Sequence, residues 1–310
     1  MPRIASSALF VNQAMAQNLL AILLVVASAY ALPDLARLRH FSWLGVWLSR
    51  WTGGATHATN SRIPIALLPL VLVAVCLLIQ AALGHTLFGL PAFVFSVVVL
   101  FFCWGPRDLD ADIDAVLKAP DSERRSAAAQ ALRADPATTT LPLESAPLVE
   151  AVFASALSRW FGVLFWFVVL GPAGALGYRM VQLLARRVLL SAELDTDQHA
   201  WLERTALVLD WAPAHLLAMT LALVSEFDAV LETWREYHVT QGHGYFTLDL
   251  GFLGALARAG IDADVIAGDG YAADISNPLV ELADARTVLR RILVAWLALI
   301  ALLSLVGWSH

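Results

Sequence analysis

Five stretches of this chain run almost without charge for about the length of a membrane crossing: residues 17–32, 63–83, 87–104, 160–185 and 292–306. A helix needs roughly 17–25 mostly apolar residues to cross the hydrocarbon core. An open strand there would leave its N–H and C=O groups unpaired in lipid, and the alternating polarity of a membrane barrel is missing from these stretches. The composition agrees, being 59% hydrophobic where a soluble domain holds about 45–50%. The expected fold class is an all-α, polytopic integral membrane protein with four to six membrane helices, one of them broken or re-entrant, and helical segments in the cytoplasm. The first stretch contains Ala27-Ser28-Ala29, which fits a leader-cleavage pattern, but only Arg3 precedes it, so it is read as a retained span.

Arginine placement orients the chain. Arg37, Arg39, Arg50 and Arg62 lie between the first two stretches, whereas Gly84-His85-Thr86 between the second and third holds no basic residue. The positive-inside rule then places residues 33–62 in the cytoplasm, and with them residues 107–159 and the approach to the last span at Arg286, Arg290 and Arg291. Residues 122–132 read as a helix and 135–142 as a loop. The fourth stretch conflicts with this scheme, because a simple crossing would export Arg179, Arg186 and Arg187. Either the chain turns back at Gly171-Pro172-Ala173-Gly174 as a re-entrant hairpin, or a kinked helix crosses and residues 207–224 return. The resulting divisions are 1–104 (three spans), 105–159 (charged, cytoplasmic), 160–227 (broken helix and motif-bearing helix), 228–290 (cytoplasmic) and 291–310 (final span).

Several chemistries are excluded. The net charge of −6 disfavours nucleic acid, which would be met by a basic face. Lys118 is the only lysine and follows no glycine-rich loop, which removes lysine-dependent phosphate or Schiff-base chemistry. Cys76 and Cys103 lie within apolar stretches, where thiols behave as small hydrophobes. Asp108, Asp110, Asp112 and Asp114 imitate a calcium loop, but Ile113 stands where glycine is needed and Ala119 where a bidentate glutamate is needed. They read as an acidic helix start. His238 and His243 do not stack on one helical face and lack a third ligand. No cofactor and no metal is expected, and no Gly-x-Ser-x-Gly elbow supports hydrolysis.

Two segments remain. In the first, Gly171 and Gly174 precede Tyr178-Arg179, a pair suited to an anionic group through the planar guanidinium, and equally to snorkelling at the membrane interface. In the second, Asp210, Trp211, Pro213 and His215 stand at what reads as the head of an apolar helix, with Asp210 near its cap and Pro213 in its first turn. An ionisable residue bordering a membrane segment is a functional candidate. The eight residues form the candidate ligand site. Tyr178, Arg179, Asp210 and His215 are expected around one cavity, Gly171 and Gly174 at its floor, and Arg179 or His215 paired with Asp210.

The order Gly171-Pro172-Ala173-Gly174-Ala175, Tyr178-Arg179, then Asp210-Trp211-Ala212-Pro213-Ala214 resembles the CobD/CbiB superfamily, and within it the AmpE branch. Ala31-Leu32-Pro33, Arg39-His40-Phe41 and residues 246–261 are similar to other parts of that pattern. The enzymatic members join aminopropanol or its phosphate to a corrinoid carboxylate. Against their pattern Phe41 replaces a proline, residues 180–183 replace Asn-Thr-Leu-Asp, Asp210 replaces an asparagine, His215 an arginine, and Asp249 stands where Pro-Glu is usual. These departures weigh against amide formation. The resemblance to AmpE implies a non-catalytic inner-membrane signalling or accessory protein linked to β-lactamase induction and cell-wall recycling. It would bind a small anionic or cell-wall-derived ligand, with the lipid bilayer and a membrane protein or a second copy as partners. The alternative is a membrane-bound amide-forming enzyme of cobalamin synthesis, and a weaker one is a small transporter.

Overall fold

The computed structural model describes residues 17–29, 31, 67–84, 89–105, 108–134, 140–186, 196–240, 242, 244–267 and 277–308, and among them there is no strand. The basic segment with Arg37, Arg39, Arg50 and Arg62, the turn at His85-Thr86, the start of the 135–142 loop, Arg107, Arg187 and His243 lie outside the described residues. In chain order the helices are α1 (Gln17–Ala29), α2 (Leu68–Gly84), α3 (Leu90–Cys103), α4 (Leu109–Leu117), α5 (Ser122–Ala129), α6 (Ser145–Ala156), α7 (Gly162–Ala185), α8 (Thr196–Val224), α9 (Phe227–Arg235), α10 (Gly251–Ala267) and α11 (Pro278–Trp308). A π-helical turn, Leu157–Phe161, joins α6 to α7, and another, Glu236–Thr240, extends α9.

Among the described residues three helices are long and apolar enough to cross a membrane: Ser145–Ala185, Thr196–Val224 and Pro278–Ser304. The first of them is folded back on itself. Gly171 adopts φ 69°, ψ −158°, a backbone region open essentially only to glycine. In an unbroken helix residues 157 and 178 would stand roughly 30 Å apart at 1.5 Å per residue. Instead the Tyr178 hydroxyl reaches the Leu157 carbonyl at 3.5 Å, and Arg179 Nη1 reaches the Ser158 carbonyl at 3.4 Å. A Cβ on Gly174 would stand 2.4 Å from the Trp166 carbonyl oxygen, and one on Gly162 would stand 2.1 Å from the Tyr178 hydroxyl. Residues 145–170 are therefore an outgoing arm and 172–185 a returning arm packed beside it. The kinked single crossing is replaced by the hairpin, and the arginines at its open end lie together.

The tip of the hairpin is apolar and exposed at Val169 and Leu170. The returning arm measures roughly 21 Å, too short to cross the ~30 Å core alone. α2, α3 and α8 pack on α7, while α10 and α11 pack on α6. One buried core runs through these contacts from Ile22 and Leu100 to Phe161, Leu221, Phe252 and Leu289. A smaller cluster, including Met180, Leu184, Leu202 and Ala206, lies where the returning arm meets the first half of α8. The outer face of α2, with Leu70, Val71, Leu77 and Leu78, is exposed, as expected of a lipid-facing surface.

Outside the apolar bundle, α4 and α5 show why the charged segment is helical. Asp108 caps α4 by accepting from the Asp110 N–H at 3.1 Å, and Asp121 caps α5 by accepting from the Arg124 N–H at 2.7 Å. α5 and its 3₁₀ extension Gln130–Leu132 match the helix expected over 122–132. The remaining aspartates of α4 are more than a favourable helix start. Asp110 meets Arg290 at 3.1 Å, Asp112 meets Arg159 at 2.7 Å and Asp114 meets Arg286 at 2.5 Å. This acidic helix thereby ties α11 to the junction of α6 and α7.

A candidate ligand site around Asp210 and Arg186

Tyr178, Gln182 and Arg186 recur every four residues along the end of the returning arm, which places them on one helical face. Opposite them, α8 supplies Asp210, 1% exposed. Tyr178 donates its hydroxyl hydrogen to Asp210 Oδ1 at 2.6 Å, Gln182 Nε2 donates to the same oxygen at 2.9 Å, and Arg186 Nη2 lies 3.5 Å from Oδ2. A carboxylate with so little water requires such partners, because burying an unpaired charge is far more costly than burying a neutral polar group. The close fit of the two arms at Gly162 lets the Tyr178 ring sit against the outgoing arm while its hydroxyl points to α8.

Asp210 and Pro213 lie in the middle of α8, not at a helix head; the apolar pattern extends through a polar first half, so the helix begins earlier than the motif suggests. Within a helix, Pro213 has no N–H to offer the carbonyl four residues before it. That carbonyl belongs to Leu209, and Trp166 Nε1 donates to it at 3.1 Å. The outgoing arm thus repairs the hydrogen bond that the proline removes, at the residue beside Asp210.

Arg179, expected to pair with Asp210, does not. One residue beyond Tyr178 it points about 100° round the helix, away from the shared face. It is 5% exposed, with the Ser158 carbonyl at 3.4 Å and a buried Nε that meets no partner. Its neighbour Arg159 is taken by Asp112 and by the Ala131 carbonyl at 2.7 Å. Among the described residues the open end of the hairpin therefore carries Arg159, Arg179 and Arg186 against the carboxylates of Asp112 and Asp210, and Arg179 makes no ion pair.

Two cavities meet at Arg186. The larger, about 300 Å³, is lined by Ala134, Ala185, Arg186, Glu203, Ala206, Leu207, Asp210 and Leu250; the other, about 270 Å³, includes Glu150, Leu157, Arg186, Leu250 and Gly254. Gly171 and Gly174 line neither of these; they build the reversal of the hairpin and the close approach of its arms. His215, five residues after Asp210, projects from another side of α8. Its Nδ1 lies 2.8 Å from the Trp211 carbonyl, and its ring packs among Trp211, Trp234, His238 and Phe252. The Trp211 ring stacks on Phe246, centroids 6.1 Å apart. Of the eight expected residues, the structure brings Tyr178 and Asp210 into contact and sets Trp211 and His215 in a neighbouring aromatic cluster.

The sequence reading missed Gln182, Arg186, Trp166 and Leu250. The four-residue spacing from Tyr178 was a signal for the first two, although Arg186 carried only topological meaning and Gln182 only a departure from a motif. Asp249, also read as a departure, accepts from the Gly251 N–H at 2.9 Å and from the Tyr237 hydroxyl. It fixes the loop from which Leu250 enters both cavities. Burial, followed by this bond to Asp249, pushes the Tyr237 hydroxyl up to about 12.

No curated protein and no solved structure matches this chain. The family model described as regulatory signalling modulator protein AmpE matches residues 19–304. The match takes in the apolar helices of membrane-spanning length, the hairpin and the Asp210 helix, so this membrane protein belongs to the AmpE family of regulatory signalling modulators.

Proposed function

We propose that the protein modulates a signal at the bacterial inner membrane by binding a small anionic ligand beside Arg186, with its charged segments in the cytoplasm. The link to β-lactamase induction and cell-wall recycling follows from the resemblance to AmpE, and the place beside the CobD/CbiB proteins from the same motifs. One observation carries the ligand: Arg186 stands where the two cavities meet and holds the Asp210 carboxylate only at 3.5 Å, so an anion at the cavity wall can take up a guanidinium that Asp210 uses weakly. Arg186 is the group to receive it. Its contact with Asp210 is long, and Asp210 keeps Tyr178 and Gln182 when Arg186 turns to a ligand. A change in the Arg186–Asp210 contact alters how the returning arm sits on α8, a route by which occupancy could reach a membrane-protein partner or a second copy. The amide-forming alternative gains nothing from the family match.

The test is complementation of a deletion strain carrying an inducible β-lactamase reporter. Arg186→Gln should abolish the protein's effect on induction while its amount in the membrane stays normal, and Arg204→Gln, an exposed arginine on α8, should leave it intact. Equal behaviour of the two variants at equal abundance would remove Arg186 from the function.

A further inference from the structure

We infer that the ligand of the larger cavity is an anionic amphiphile, a molecule with one negatively charged group on an apolar body, rather than a water-soluble anion. This inference rests on the proposed anion site at Arg186 and narrows its chemistry. The walls are its first support. Besides Arg186, the lining is mostly Ala134, Ala185, Ala206, Leu207 and Leu250, whose side chains offer no hydrogen bonds to the hydroxyls and amides of a sugar or peptide, and the Ala134 carbonyl already accepts from Arg186 Nη1 at 2.9 Å. Such groups, desolvated without partners, would cost about 1–3 kcal/mol each. An apolar body loses nothing there.

The charges set the head group. Among the described residues Arg186 is the only cation of the lining, and Asp210 and Glu203 are its acids. Asp210 keeps Tyr178 and Gln182 as donors when Arg186 turns away, and Glu203 faces His199 at 3.3 Å with its own side chain 55% exposed. A single negative charge can sit on Arg186, while a dianion would bring its second charge against these carboxylates. A phosphodiester or a carboxylate meets that condition.

The surroundings give the tail its path. Leu207 and Val208 are 36% and 55% exposed, and Phe246, stacked on Trp211 next to Asp210, is 89% exposed. Leu207 belongs to the lining and to the outer surface of α8 alike, and the same helix carries Leu216, Met219 and Leu223, exposed on its flank. Apolar surface therefore runs from inside the cavity to the face that the bilayer covers.

The experiment uses the full chain in phosphatidylcholine nanodiscs containing a small fraction of a phosphatidylglycerol analogue with a photoactivatable diazirine in its acyl chain. Crosslinked peptides are mapped by mass spectrometry. Label should concentrate on the peptides of Leu207 and Leu250 over that of Leu70–Leu78, fall at least fivefold in Arg186→Gln, and fall likewise in Leu207→Trp, which fills the opening without touching the charge. Excess glycerophosphoglycerol, the head group without tails, should not compete. Competition by glycerophosphoglycerol or inorganic phosphate at the same concentration as the lipid would overturn the amphiphile and leave the anion site standing. Label spread evenly over the lipid-facing helices would overturn the amphiphile and leave the anion site standing, whereas cavity labelling unchanged in Arg186→Gln would overturn the anionic head group and the Arg186 site together.

Discussion

Asp210 and its partners make unequal contributions, and mutation should separate them. Tyr178→Phe removes one hydrogen bond to a carboxylate and is expected to cost about 1.5–3 kcal/mol. Asp210→Ala strands the Gln182 amide and leaves the Tyr178 hydroxyl and the Arg186 guanidinium only the Leu157 and Ala134 carbonyls, and should cost more, about 3–5 kcal/mol, the range for breaking a buried pair. Thermal unfolding in detergent, followed by helical dichroism, gives the order; Tyr178→Phe as damaging as Asp210→Ala would contradict this network. The ion pair itself was predictable in kind from the sequence, since a buried acid demands a base, but the base was misassigned. Arg179 is adjacent to Tyr178 in a motif, whereas helical geometry favours the residue eight positions on. Adjacency in sequence outweighed angle about the helix axis.

At the scale of the element, the hairpin depends on Gly171 and on the repair of α8 at Pro213. Any side chain at Gly171 must hold φ 69°, a strain of order 1–3 kcal/mol, so Gly171→Ala should lower the melting temperature even though a Cβ there would meet only Gln80 at 3.5 Å. Trp166→Phe leaves the Leu209 carbonyl unpaired and should be costly beside proline. In the background of Pro213→Ala, which restores the helical N–H, the same change should cost about 1 kcal/mol less. A double-mutant cycle measures that difference, and purely additive losses would show that the indole does not answer the proline. Apolar run lengths and the Gly-Pro break made the broken helix legible, and cap signals the limits of α5, but the polar first half of α8 hid its start at Thr196 behind the expected 207–224. They could not show whether the broken helix turned back, because the decision lies in the Gly162–Tyr178 and Gly174–Trp166 contacts, which join residues from opposite arms.

For the whole molecule, the hairpin predicts sidedness. Cysteines placed at Glu144 and Arg186, at the two ends of the arms, should be modified by a membrane-impermeant maleimide from the same side; labelling from opposite sides would restore the single crossing. The acidic helix α4 adds a pH response. The hydrogen bond from Lys118, then Arg286, holds the Asp114 carboxyl below its ordinary value. The stabilisation is thus full above the usual carboxylate range and fades as pH falls through the lower folded value. Asp114→Asn should flatten the acid limb of a plot of melting temperature against pH, and an unchanged limb would assign it elsewhere. The returning arm also has a consequence for synthesis. It is short and carries Tyr178, Arg179, Gln182 and, at its end, Arg186, and an arginine at mid-bilayer is penalised by about 2.5–3.5 kcal/mol during translocon insertion. Such a segment has little reason to partition into lipid by itself. Its place is secured once α8, some twenty residues later, has left the ribosome and presented Asp210. A nascent chain stalled near residue 230, with the arm outside the ribosome and Asp210 still within it, should leave the arm open to protease, whereas one stalled after residue 260 should hide it, so that membrane integration of this region is a late, cooperative event in translation.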